Sequence, residues 1–236
     1  MASATPVPSG TLDFGRCFTY LTEDPDWLKK VLIGGAFTLL SVLLVGIPFV
    51  FGYCGRTLRN VADGAARPLP EWDDLGGIFG EGLQLAAVYL LHVLGVCAVV
   101  AAFGCVALLP AFAAGSLHGG SGADAVGALS GLAFVGVYGL VMLLSLALAV
   151  YLPSALVRSA LRGSIGDGFA WRDNVDFIRA NIGNYLLSLV VFLVAHFVSQ
   201  FGIILCCVGV FPAAFASYLV AAAAFGQTVR LNRASI

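Results

Sequence analysis

Residues Glu71–Gly95 read EWDDLGGIFGEGLQLAAVYLLHVLG: a tryptophan set among carboxylates, followed directly by a long apolar run. Residues Ala170–Val198, AWRDNVDFIRANIGNYLLSLVVFLVAHFV, repeat the plan. In the first copy Trp72, Leu75, Phe79 and Leu83 fall on one helical stripe, and in the second Trp171, Val175, Ile178 and Ile182 nearly do so. Asp73, Asp74 and Glu81 lie off the first stripe, and Arg172, Asp176 and Arg179 lie opposite the second. Such segments are expected to lie as amphipathic helices on a membrane surface, each leading into a span. A third copy, Phe14, Cys17, Phe18 and Leu21, precedes EDPDWLKK (Glu23–Lys30), where Asp24 is expected to cap a helix that begins at Pro25. The three tryptophans, Trp27, Trp72 and Trp171, then serve as anchors at one headgroup level.

Composition sets the solvent. The chain has 236 residues, 60% apolar and 11% charged, with mean hydropathy +0.97. An ordinary soluble domain is about 45–50% apolar and about 25% charged. A fold in water could not bury this much Leu, Val, Ala and Phe, so the sequence implies an integral membrane protein. Its formal charge of −1 gives no basic field for nucleic acid. The opening MASATPVPSGTLDFGRC has no basic region followed by an apolar one, so no cleavable signal peptide is expected, and residues 1–11 read as a disordered tail.

Apolar stretches cover Leu28–Gly55, Leu83–Ala114, Val126–Val157 and Tyr185–Gly226. The last is broken at CCVGVFP (Cys206–Pro212) and the first at VGIP (Val45–Pro48), where Gly and Pro favour turns. Placing the breaks together sets Pro48 beside Pro212 and Phe51 beside Phe215, which suggests an internal repeat. The expected fold is an all-α membrane bundle, residues 12–233, with six spans near 28–45, 48–62, 83–107, 126–152, 185–204 and 209–228. These form three parallel-repeat hairpins, each preceded by an interfacial helix. Six spans place all twelve Lys and Arg on one side, whereas a single kinked helix over 28–55 splits them nine to three. The positive-inside rule therefore selects six spans with both termini cytoplasmic in a cell membrane. The second span is short, and Arg56 and Arg59 would have to snorkel from it.

PDWLKKVLIGG (Pro25–Gly35), RPLPEWDDLGGIFGEGL (Arg67–Leu83) and ILCCVGVFPAAFASYLVAAAAFGQTVRL (Ile204–Leu231) together resemble an uncharacterised prokaryotic membrane family, the domain of unknown function 4013. The resemblance spans about Asp13 to Leu231. It implies a multi-pass membrane protein and assigns no catalytic residue.

Few residues suggest chemistry. The six cysteines have no CxxC and read as small packing residues. His92 and His196 sit at similar depth on rising helices and could ligate a haem, although a histidine bonding a neighbouring helix is the ordinary case. DGAAR (Asp63–Arg67) is one residue short of the motif of enzymes that transfer phosphoalcohols from cytidine-diphosphate alcohols. It lacks that family's downstream carboxylates and reads as a helix end at Gly64. Asp73, Asp74, Asp173 and Asp176 could hold Mg²⁺ but suit solvated helix faces better. Gly127 and Gly131 form a GxxxG for close helix packing. No Asp or Glu is expected within a span to couple ion movement.

These features favour a non-catalytic accessory or scaffold that binds lipid, a membrane-protein partner or a second copy, with no cofactor or metal expected. The alternative is a passive channel lined by Thr38, Ser41, Gln84, Ser188 and Gln200. His92, His196, Gln84 and Gln200 are the candidate binding residues.

Overall fold

The structure, a computed structural model, describes residues 10–115, 122–204 and 208–233, with side chains outside 107–108 and 110–129. The described residues are helical and include no strand. The chain forms two compact units, one of residues 1–88 with 153–236 and one of residues 89–152.

In the first unit, α1 (Phe14–Thr19) and a 3-10 turn (Tyr20–Glu23) lead to α2 (Trp27–Leu40) and α3 (Ile47–Asp63). The expected break between α2 and α3 is present. A 3-10 turn at Ser41–Leu43 ends with Leu44 at φ 67°, and Pro48 opens α3, where its missing N–H costs nothing. Gly64, at φ 76°, closes α3: its N–H bonds to Val61 O and that of Ala65 to Asn60 O. This pattern requires a left-handed residue and accounts for DGAAR as a helix end. Asp24 does not cap at Pro25. Its Oδ1 accepts from Asp26 N at 2.9 Å in a local turn, so α2 starts two residues later.

Helix α4 (Leu75–Gly115) opens in this unit, and α5 (Gly122–Arg162) ends in it. No separate helix precedes α4: residues 75–83, expected as an interfacial helix, are simply its first turns. Asp74 Oδ1 accepts from Gly77 N at 2.9 Å and starts the helix there, and no proline separates its first turns from the apolar run that begins at Leu83. A distinct short helix does precede α8. After the short α6 (Ile165–Gly168), α7 (Trp171–Ala180) is separated from α8 (Ile182–Ser199) at Asn181, whose side chain bonds back to Phe177 O.

Helix α9 (Val210–Leu231) returns against α8 and also packs on α2 and α3. Its buried face, including Phe215, Leu219, Val220, Ala223 and Ala224, forms the core with Val31, Val50, Tyr53, Ile78 and Val191. Ser188 and Thr228 tie α8 to α9 through a buried hydroxyl pair at 2.9 Å. Part of the stripe that begins in α1 faces this core: Cys17 is fully buried, Leu21 is buried and the neighbouring Tyr20 Oη donates to Leu219 O at 2.6 Å, while Phe14 is exposed.

The second unit consists of the distal part of α4 and the proximal part of α5. Its apolar side chains are largely exposed, among them Phe103, Val106, Leu132, Phe134, Val135 and Tyr138. Among the described residues four helices are long and apolar enough to cross a membrane: Leu75–Val106, Ser130–Arg162, Ile182–Ile204 and Val210–Leu231. At 14 and 17 residues, α2 and α3 fall short of that length.

Candidate functional site

The polar chemistry of the first unit includes three ionic clusters that join separate elements. The first centres on Lys30, which is 3% exposed. Its Nζ lies 2.8 Å from Asp24 Oδ2 and 2.5 Å from Glu71 Oε1, and it donates to Leu69 O at 3.3 Å. An ammonium buried this deeply must be paired and hydrogen-bonded. The segment 64–74 is held over it by Tyr53 Oη donating to Pro70 O at 2.8 Å and Asn60 Nδ2 donating to Pro68 O at 2.9 Å. Trp72 Nε1 completes the clasp by donating to Lys30 O at 3.1 Å. Burial alone would push the Asp24 carboxyl up, but hydrogen bonds from Lys30 and the Asp26 N–H and the Lys30 charge outweigh it and hold Asp24 below the usual carboxylate range.

The second cluster joins α3 to α4. Arg56 Nε and Nη2 lie 3.0 and 2.8 Å from Glu81 Oε1, and Nη2 also reaches Asp74 Oδ2 at 2.7 Å. Arg59 pairs with Glu81 Oε2 and donates from Nη1 to Ala160 O at 2.9 Å. The two arginines therefore turn inward to a shared carboxylate instead of snorkelling. The bond from Arg56, with one from Gly77 N, holds the Asp74 carboxyl below its usual range. Glu81 lies in the first turns of the apolar helix Leu75–Val106, just ahead of Leu83, where the sequence reading begins the span.

The third cluster is Arg158, 2% exposed near the end of α5, whose Nη2 donates to Asp173 Oδ2 at 2.9 Å. Its Nε is buried with no hydrogen-bond partner. Nearby elements are tied by Asn174 Nδ2 to Gly168 O at 3.0 Å and by Ser154 N to Tyr185 Oη at 3.1 Å. Charge counting along the sequence placed Lys30 and Arg158 on a membrane surface. The only sequence signal for the burial of Arg158 was its isolation in LPSALVRSAL (Leu152–Leu161), and Lys30, beside Lys29 in EDPDWLKK, had none.

The residues singled out from sequence are dispersed. Gln84 reaches Ser159 Oγ at 3.5 Å beside the second cluster. His196 lies near Phe192 and Tyr218, with Gln200 Nε2 3.4 Å from its Nε2 and its buried Nδ1 unpartnered. His92 belongs to the other unit, with its ring centroid 5.5 Å from that of Tyr151. The hydroxyls of Thr38, Ser41 and Ser188 bond the carbonyls of Gly34, Phe37 and Asn184 on their own helices. Trp72 is a core residue, stacked on Tyr53 at 4.3 Å and Phe37 at 5.0 Å, whereas Trp171 is 62% exposed and Trp27 half-buried. Gly131 has open space beside it, and the surroundings of Gly127 lie outside the described residues, as do Cys206 and Cys207.

Among the described residues no group of three His, Cys, Asp or Glu is placed to hold a metal ion. Asp74 and Asp173 are instead engaged by Arg56 and Arg158. Chemically the clusters act as fasteners, each carboxylate clamping a base from another element.

No curated protein and no solved structure matches the chain. One family model does, over residues 36–208, which is most of the sequence and extends from α2 through α8. By that match the chain belongs to the family described as Protein of unknown function (DUF4013).

Proposed function

We propose that this is a non-catalytic integral membrane protein of six spans in three hairpins, an accessory or scaffold whose long central hairpin faces lipid or a membrane-embedded partner. One observation carries the reading. None of the most apolar window of Ser130–Arg162 is buried within the chain, whereas half of that of Val210–Leu231 is. A helix so apolar and so bare needs lipid or another protein around it.

The ionic clusters support the six-span count. Pairing of Arg56 and Arg59 with Glu81 lowers the cost of placing the short α3 at membrane depth. All twelve basic residues then lie on the side of both termini, which is the cytoplasmic side under the positive-inside rule.

The test is topology mapping in intact cells with a membrane-impermeant maleimide, reading the labelled peptide by mass spectrometry. A Val45→Cys variant should label from outside, and an Ala65→Cys variant only after permeabilisation. Labelling of both only after permeabilisation would leave α2 and α3 on the inner side and reduce the count to four. For the scaffold reading, native mass spectrometry from the membrane should give a mass above the 24.5 kDa chain. A bare monomer with solute flux in proteoliposomes would favour a channel.

A further inference from the structure

Two side-chain amides, Asn184 near the start of α8 and Gln227 near the end of α9, grip the same extended segment. Asn184 Oδ1 accepts from Leu12 N at 3.0 Å, and its Nδ2 donates to Gly10 O at 3.2 Å. This two-pronged grip on a peptide backbone reads an extended conformation and ignores the side chain between. Gln227 Oε1 accepts from Asp13 N at 3.3 Å, and its Nε2 reaches Cys17 Sγ at 3.3 Å. Along the segment Thr11 is exposed, Leu12 is 4% exposed and Asp13 is exposed, the alternation of a docked strand with one apolar anchor. At Gly10, itself exposed, an added Cβ would come within 3.1 Å of the Leu231 side chain, closer than ordinary contact, which favours a small residue two before the anchor.

We infer that the adjoining ends of α8 and α9 form a recognition groove for an extended peptide of the pattern small residue, any residue, leucine. The chain's own Gly10–Leu12 fills it as a releasable latch. Release is mechanically separable from the fold. Asp13 caps α1 through its own Oδ1, which accepts from Arg16 N at 3.0 Å, and α1 is anchored independently by buried Cys17 and by the Tyr20 bond to Leu219 O. Residues 10–12 can leave while the helix behind them stays in place. The groove reads mainly backbone, so a segment of the same pattern can compete for it.

The test uses the full chain in detergent with a fluorescent peptide of residues 5–15, TPVPSGTLDFG. A Leu12→Asp variant, its latch expelled by a charge in the anchor pocket, should bind the peptide at least ten-fold more tightly than the wild type. Adding Asn184→Ala should abolish that binding. No binding by Leu12→Asp, or binding indifferent to Asn184→Ala, overturns the inference. Hydrogen exchange gives a second readout should Leu12→Asp fail to fold. In Asn184→Ala the Leu12 amide should lose protection at least ten-fold, with Leu219–Ala224 of α9 unchanged. Equal loss in α9 would make the segment an inseparable part of the fold and overturn the latch.

Discussion

Gly82 of α4 lies against Pro48 of α3 so closely that a Cβ on Gly82 would collide with the Pro48 carbonyl oxygen, and one on Gly52 would collide with that of Ile78. The two backbones touch because neither helix carries a side chain at the crossing, the packing that small residues permit between membrane helices. This contact brings Glu81 within reach of both Arg56 and Arg59.

Gly82→Ala should therefore destabilise the protein by about 1–3 kcal/mol, since only backbone movement can relieve the clash. Gly80→Ala, two residues earlier with open space around it, should be neutral or stabilising by up to about 1 kcal/mol through helix propensity. Thermal unfolding in detergent compares them, and equal effects would mean that the close crossing is not formed.

Glu81→Gln removes the carboxylate shared by two arginines. The side chains are 20–36% exposed, so the expected loss is about 1–2 kcal/mol, below that of a fully buried pair. A double-mutant cycle with Arg56→Gln should give a coupling of at least about 0.5 kcal/mol. Additive losses would show that the geometry does not bind the pair together.

Acid should loosen the clasp over Lys30. The Asp24 carboxyl is held below its ordinary range in the folded chain, so its contribution is fully present above about pH 4. That contribution is lost as pH falls through the folded-state value. Asp24→Asn should lower stability at neutral pH and flatten its decline below about pH 4. An unchanged acid limb in the variant would place the pH dependence elsewhere.

Trp72 and Trp171 should respond differently to quenchers. In single-tryptophan variants Trp171 should be quenched by acrylamide or headgroup-level probes, while Trp72, packed between Tyr53 and Phe37, should be shielded. Comparable quenching would return Trp72 to the role of surface anchor.

How much was legible in the sequence follows from the range of each signal. Local chemistry was readable: the Gly64 helix end, the break before Pro48, and the separation of a short amphipathic helix at Trp171–Ala180. The packing of Trp72 on Tyr53 and Phe37 was not legible, because an apolar stripe does not say what covers it. Of the residues proposed to bind, only Gln84 lies beside an ionic cluster.

By itself the sequence determined the helical class and the apolar character of the long helices, because composition and period act through every residue and need no partner. Only the tertiary structure decided that Lys30 and Arg158 are buried, that Glu81 is gripped by two arginines, and that Asn184 holds the chain's own N-terminal segment. Those outcomes depend on residues up to 174 positions apart being brought within hydrogen-bond distance. Such pairings are selected by the packing of whole helices and leave no mark on the local pattern.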